Sequence, residues 1–269
     1  MNSSPSTSPS VLVRREGHVL LITINRPEAR NAVNLEVHHG IGAALEEAER
    51  DPAIRAVIIT GAGDQAFCAG ADLKAIARGE TIMPADPVAK SWGFAGYVSH
   101  PISKPTIAAV NGFALGGGTE IVLASDLAVA VETASFGLPE VKRGIFAGAG
   151  GAFRLPQQLP QKLAMEFLLT GEPFTARRAL ELGFVNAVAA PGAVLSVAMD
   201  LAQRICANAP LSVQVSKRMA LGIIDGKVPA DEAKWALNAI EAAALMRSED
   251  AQEGPRAFAE KRAPQWRAK

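Results

Sequence analysis

Two glutamates stand in small-residue frames suited to moving a proton beside bare backbone. Glu120 follows Gly116-Gly117-Gly118-Thr119, and Glu140 closes Phe136-Gly137-Leu138-Pro139-Glu140, twenty positions further on. The apolar stretch Ile121 to Ser125 after the glycines predicts a short helix. The first N–H groups of a helix have no internal acceptor, and the dipole adds about half a positive charge there. Glycine lets a ligand approach that backbone closely, so the turn suits a developing oxyanion. Glu120 lies about one helical turn beyond Gly117. The turn Cys68-Ala69-Gly70-Ala71-Asp72 has the same design, with Ala71 N–H as a second donor and Asp72 at the start of a helix. Glu140 has apolar neighbours in Phe136, Leu138 and Val141, and a carboxyl in such surroundings keeps its proton to higher pH. Gly144 to Gly151 is a further glycine-rich helix start. Each piece alone has an ordinary explanation: a strand packed on a helix, a capped helix, a loop glutamate. Only the combination points to chemistry.

The elements that must position these groups read as α/β. Val19–Asn25, Arg55–Thr60, Thr106–Asn111 and Asp126–Val131 are β-rich runs, each closed by a turn residue or a change of pattern. Leu35, His38, Ile41, Leu45 and Ala48 recur at helical spacing. Helical patterns between the strands imply α/β units. After about Pro191 the pattern turns all-helical: Val194, Ala198, Leu201 and Ile205 form one stripe, Trp235, Ile240 and Ala244 lie on a later segment, and Ser248 with Glu249 and Asp250 starts another helix. The expected organisation is a mobile Ser/Pro-rich tail over 1–10, an α/β core with the active site over 11–190, and a helical oligomerisation region over 191–269. Ala77 to Ser99 has no clean period and holds Trp92, Phe94 and Tyr97; it reads as a loop walling a ligand pocket.

Composition narrows the function classes. Basic and acidic residues balance at 27 each, which leaves no broad field for nucleic acid or anionic lipid. No apolar run approaches the ~20 residues of a membrane span. The tail lacks a basic start and an apolar stretch, so it is not a signal peptide, and two cysteines in 269 residues fit a reducing cytoplasm. No nucleotide-binding glycine fingerprint occurs. His38 and His39 are adjacent on a helix and point apart, so no metal site is expected.

Together these segments resemble the crotonase (enoyl-CoA hydratase/isomerase) superfamily. The likeness runs from Val11 to Trp266 through Asn25-Arg26-Pro27-Glu28-Ala29-Arg30-Asn31-Ala32, Cys68 to Lys74, Pro105 to Glu120, Ser135 to Gly151 and Gly183-Phe184-Val185-Asn186. It implies a spiral of ββα repeats with a C-terminal helical trimerisation region, assembled as a trimer or a dimer of trimers. It implies that the N–H groups of Ala71 and Gly117 hold the oxygen of an acyl-CoA thioester, and that Glu120 and Glu140 are the base and acid of a hydratase. By the same resemblance Ala29, Ala69, Asp72 and Lys74 line the CoA path, Phe258 and Lys261 reach a neighbouring subunit's CoA, and no cofactor is needed beyond the CoA of the substrate. The leading expectation is an enoyl-CoA hydratase (a hydro-lyase) of broad acyl range; the runner-up is the carnitinyl-CoA (crotonobetainyl-CoA) dehydratase branch, which residues 248–255 and Gly93 to Gly96 resemble. A trimethylammonium group would call for an aromatic or acidic cage, for which Trp92, Phe94, Tyr97 and Asp86 are available. A non-catalytic CoA- or RNA-binding relative is the reading from another class. Ala147 stands where many relatives have proline, which would reshape the acyl pocket.

Overall fold

The computed structural model describes residues 8–269; residues 1–7 of the expected tail lie outside the described residues. Ser10, at the end of that stretch, is buried, and its hydroxyl donates to Glu36 Oε2 at 2.7 Å.

The strands are β1 (Val11–Glu16), β2 (Val19–Ile24), β3 (Ala56–Gly61), β4 (Ala66–Cys68), β5 (Thr106–Val110), β6 (Phe113–Leu115), β7 (Leu127–Val131), β8 (Ser135–Gly137), β9 (Phe174–Thr175) and β10 (Ala187–Ala189). Six form one sheet in the order β1-β2-β3-β5-β7-β10, and four form a second, β4-β6-β8-β9. Pairing is parallel except at β1/β2 and β8/β9. The chain therefore winds as a spiral. β3 then β4, β5 then β6, and β7 then β8 each lay one strand in the large sheet and a short one in the small sheet. The continuous apolar runs of β3 and β5 are buried at every position, as a parallel sheet covered on both faces requires.

The helices are α1 (Leu35–Arg50), α2 (Leu73–Ala77), α3 (Pro87–Ser91), α4 (Gly117–Ala124), α5 (Gly151–Gln158), α6 (Gln161–Thr170), α7 (Ala176–Glu181), α8 (Val194–Cys206), α9 (Pro210–Leu221), α10 (Pro229–Leu245) and α11 (Glu249–Ala259). The side chain of Asn34 caps α1 by accepting from Val37 N–H at 3.0 Å, and Ser248 caps α11 in the same way. α8 buries Val194, Ala198, Ala202 and Cys206 and lies across β2, β3, β5, β7 and β10. The part of the helical region that leaves the core thus begins at α9.

Two local expectations shift. α4 starts at Gly117, four residues before the apolar run that announced it, because glycine and threonine carry no apolar signal yet their backbone is already helical. The segment 77–99 holds α3 and a 3-10 turn, Phe94–Gly96. Ala95, Tyr97 and Val98 within it are core residues, so much of this stretch packs inward.

Candidate active site

α4 is pinned at its first turn. The Thr119 hydroxyl lies 2.7 Å from the Ala114 carbonyl and accepts from Gly137 N–H at 3.0 Å, joining α4 to β6 and β8. Gly116 has φ +56°, the left-handed region that favours glycine. A Cβ on Gly117 would overlap the Phe94 ring. As the first residue of α4, Gly117 carries an N–H that has no intrahelical acceptor.

The upstream turn meets it. Gly70 has φ +90°, and a Cβ there would sit 3.1 Å from Gly117 N. Val33 N–H donates to Gly70 O at 2.8 Å and Asp72 N–H to Val33 O at 2.9 Å. Ala71 N–H between them donates to no other group among the described residues. The turn is anchored through Asn31, whose amide donates to the carbonyls of Ala62 and Ala66, and through Ala69 N–H, which donates to Arg30 O at 3.1 Å.

The glutamates come from two turns and lie near enough for one's charge to act on the other. A Cβ on Gly116 would lie 3.0 Å from Glu140 Oε1, and one on Gly151 would lie 3.0 Å from Glu120 Oε1. Glu120 is buried, and its Oε1 accepts from Gly151 N–H at 2.8 Å. Glu140 sits in a 3-10 turn, Pro139–Arg143, and its Oε2 is buried with no partner. Burial pushes both carboxyls up from the usual range, and Glu140 beside Glu120 pushes Glu120 further. Two close buried carboxyls resist carrying two negative charges, so the pair keeps one proton well above the normal carboxylate range. The Gly151 hydrogen bond favours the ionised form of Glu120, while the partnerless oxygen of Glu140 favours a neutral acid.

The glycine-rich run 144–151, read from the sequence only as a helix start, is what supplies that bond to Glu120. Ala147 is buried, and its Cβ would lie 2.9 Å from a Cβ on Gly151. Ala147 therefore abuts the turn at Glu120. Arg154 and the Phe94 contact with Gly117 had no signal in the pattern.

Of the residues expected along a CoA path, four are brought together. Ala29 closes a 3-10 turn, Pro27–Ala29, on the loop that Ala69 is bonded to. Asp72 caps α2 by accepting from Ala75 N–H and pairs with Arg26 at 2.8 Å. Burial pushes the Asp72 carboxyl up, but those partners outweigh it and hold it below its ordinary value. Its carboxylate is thus engaged within the chain, leaving backbone as what it can offer a ligand. Lys74 is exposed one turn along. Phe258 and Lys261 lie apart at the end of α11, Phe258 half exposed with the Arg143 guanidinium 4.2 Å from its ring centre. Among the described residues no hydrogen bond or ion pair joins either one to the Ala29–Lys74 group.

The four cage candidates do not assemble. Trp92 lies between His38 and His100, with ring centres 6.3 and 5.2 Å away. Tyr97 is buried and bonded to Ser125 Oγ at 2.8 Å. Asp86 caps α3 by accepting from Ala89 N–H. Only Phe94 faces the Gly117 turn. Among the described residues there is no group of three or more His, Cys, Asp or Glu side chains able to hold a metal ion, and no helix long and apolar enough to cross a membrane.

Comparison with known proteins places the chain in a family. The family model for enoyl-CoA hydratase/isomerase matches residues 14–269. The chain belongs to the enoyl-CoA hydratase/isomerase family. It is 60% identical to a solved structure described as carnitinyl-CoA hydratase from Mycobacterium avium, covering 98% of this chain and 100% of that one, with a TM-score of 0.95. It is 40% identical to the carnitinyl-CoA dehydratase of Salmonella typhi over 97% of this chain and 100% of that protein. An enoyl-CoA hydratase structure from Mycobacterium tuberculosis H37Rv is 43% identical over 97% of this chain and 100% of that one, with a TM-score of 0.75. The expected family and α/β fold class hold. Of the two expected activities, the relatives favour the runner-up over the broad hydratase.

Proposed function

We propose that the protein interconverts a 3-hydroxyacyl-CoA and its 2-enoyl-CoA by loss or gain of water, with carnitinyl-CoA and crotonobetainyl-CoA as the preferred pair. The observation that carries the chemistry is the pairing of Glu140, against Gly116 beside the Gly117 N–H, with Glu120, one turn into the same helix and near enough for the Glu140 charge to act on it. Support for the acyl group comes from the carnitinyl-CoA relatives, 60% and 40% identical over nearly the whole chain.

In the hydration direction the N–H groups of Ala71 and Gly117 polarise the thioester carbonyl and make the β-carbon electrophilic. Glu120, as carboxylate, takes a proton from water as its oxygen bonds to the β-carbon. The electron pair moves to the thioester oxygen as an enolate, held by the two N–H donors. Glu140, as neutral acid, delivers its proton to the α-carbon; the pair's single proton is then on Glu120 and passes back to Glu140 once the product leaves. Atoms balance with water alone, and the scheme calls for no group beyond the CoA of the substrate. Ala29, Ala69, the backbone of Asp72 and Lys74 fit the CoA path in this reading. Phe258 and Lys261 would serve a neighbouring subunit.

The same reading makes the protein a trimer or a dimer of trimers. α9 and α10 bury none of their residues within the chain and leave Leu211, Met219, Leu237 and Ile240 exposed, as a surface that meets other copies would. A reducing cytoplasm is the matching location, with Cys68 and Cys206 as separate buried thiols.

The test is a panel of enoyl-CoA thioesters of graded length, crotonobetainyl-CoA included, followed by ultraviolet loss of the conjugated bond. The expected result is the highest kcat/KM on crotonobetainyl-CoA. Equal or better turnover of crotonyl-CoA sinks the carnitine assignment and leaves the hydratase chemistry standing; no turnover of any member sinks both.

A further inference from the structure

One half-buried cation next to the glutamate pair has no part in the steps above. Arg154 lies three residues beyond Gly151 on α5. Its Nη2 donates to the carbonyl of Val98 at 2.7 Å, and its Nη1 is buried with no partner. It forms no ion pair among the described residues. Its guanidinium instead sits 5.4 Å from the Trp235 ring centre and 5.6 Å from that of Phe153. Those two rings meet edge to face at 4.9 Å. A guanidinium does not shed its proton in a protein, and drawing one partly out of water without an ion-pair partner costs energy.

The charge of Arg154 lies beside the turn that holds Glu120: its Nη1 meets Gly150, next to the Gly151 whose N–H bonds Glu120. Glu120 on α4 and Asp231 on α10 are the anions that act on Arg154, with Lys234 paired to Asp231 at 2.8 Å. Arg154 in turn favours the ionised form of Glu120, against the larger opposing effects of burial and of Glu140. A Cβ on Gly150 would come 2.8 Å from Arg154 Nη1 and 3.2 Å from Trp235. Asn238, one turn on, donates to Gly148 O at 2.9 Å. The glycine turn that holds Glu120 is thus clamped between α5 and α10 with Arg154 at its centre.

We infer that Arg154 is a positioning residue that keeps the pair's single negative charge on Glu120 and locks the Gly148–Gly151 turn against α10. The inference rests on the acid and base roles proposed above. It is tested with Arg154→Met, Arg154→Lys and Asp231→Asn by kcat and KM as functions of pH on the best thioester of the panel. In Arg154→Met, kcat at pH 7 falls about tenfold or more while KM stays within about threefold, and the acidic limb moves up by about one pH unit, as loss of a nearby opposite charge demands. Arg154→Lys returns the limb at least half way, because charge is restored without the Val98 bond. Asp231→Asn moves the limb down, since an anion competing for Arg154 is gone; this sign decides the matter if Arg154→Met does not fold. A limb that stays in place in Arg154→Met, or a loss carried by KM alone, overturns the inference. Should no thioester turn over, the function above fails while Arg154 is still tested. Infrared difference titration of the carboxyl band, assigned with Glu120→Gln and Glu140→Gln, must then show Glu120 titrating higher in Arg154→Met; an unmoved band overturns it.

Discussion

α4 and α10 are opposites. α4 is short and buried almost throughout, yet it carries a carboxylate into the interior at Glu120. α10 is the longest helix among the described residues and buries none of its residues, yet it holds Leu237 and Ile240 out to solvent. Each inverts the ordinary rule that charge stays wet and apolar side chains stay dry. A buried carboxylate costs stability unless it is compensated, which marks chemistry. An exposed apolar stripe on an otherwise well-packed chain marks a surface for contact. Only one stripe of α10, with Asp231, Trp235 and Asn238, turns inward to the glycine turn.

The sharpest way to break this contrast is at Glu120. Glu120→Gln is expected to lose about 10²–10⁴-fold in kcat while acyl-CoA binding, read by calorimetry, is kept. Undiminished turnover would reduce the buried charge to a structural feature. Next comes the core. Ile58→Ala removes a fully buried side chain from β3 and is expected to cost about 2–5 kcal/mol in a urea melt.

A smaller effect follows from linkage. The unfolded chain ionises both glutamates near the ordinary carboxylate value, whereas burial holds them protonated to higher pH in the folded protein. Between those limits the folded state binds more protons, so stability falls as pH rises. Glu140→Gln removes that penalty, and its Tm is expected to exceed the wild type's at pH 8 and to converge with it at pH 5. The gain is on the order of 1 kcal/mol or more, and a lower Tm at pH 8 would contradict the raised carboxyls.

The smallest effect on the single chain is at Ile240. Ile240→Asp is expected to change monomer stability by less than about 0.5 kcal/mol, yet to shift sedimentation toward smaller species. An unchanged particle would show that the outer stripe of α10 is not an interface.

Much of the site was legible because its parts are local. Asp72 reads as a helix cap and serves as one; Gly116–Gly118 before an apolar run reads as a helix start and is one. Both glutamates were found by the frames that surround them. What could not be read was the partnering. Glu120 takes its hydrogen bond from Gly151, 31 positions away. Trp92 and Tyr97 look like pocket aromatics in the pattern but are used up in packing against His100 and Ser125. Arg154 looks like any surface arginine on a helix.

The sequence alone determined the α/β alternation, four of the six strands of the large sheet, the family and the residue types able to move a proton beside a bare N–H, because caps, glycine turns and apolar periods act within a few residues. The tertiary structure decided that Gly70 abuts Gly117, that two carboxyls twenty positions apart act on one another, and that a cation on α5 lies beside the turn that holds Glu120. Those outcomes depend on winding successive turns of the spiral against each other, and the electrostatics of a buried group are set by its neighbours in space, which no local pattern records.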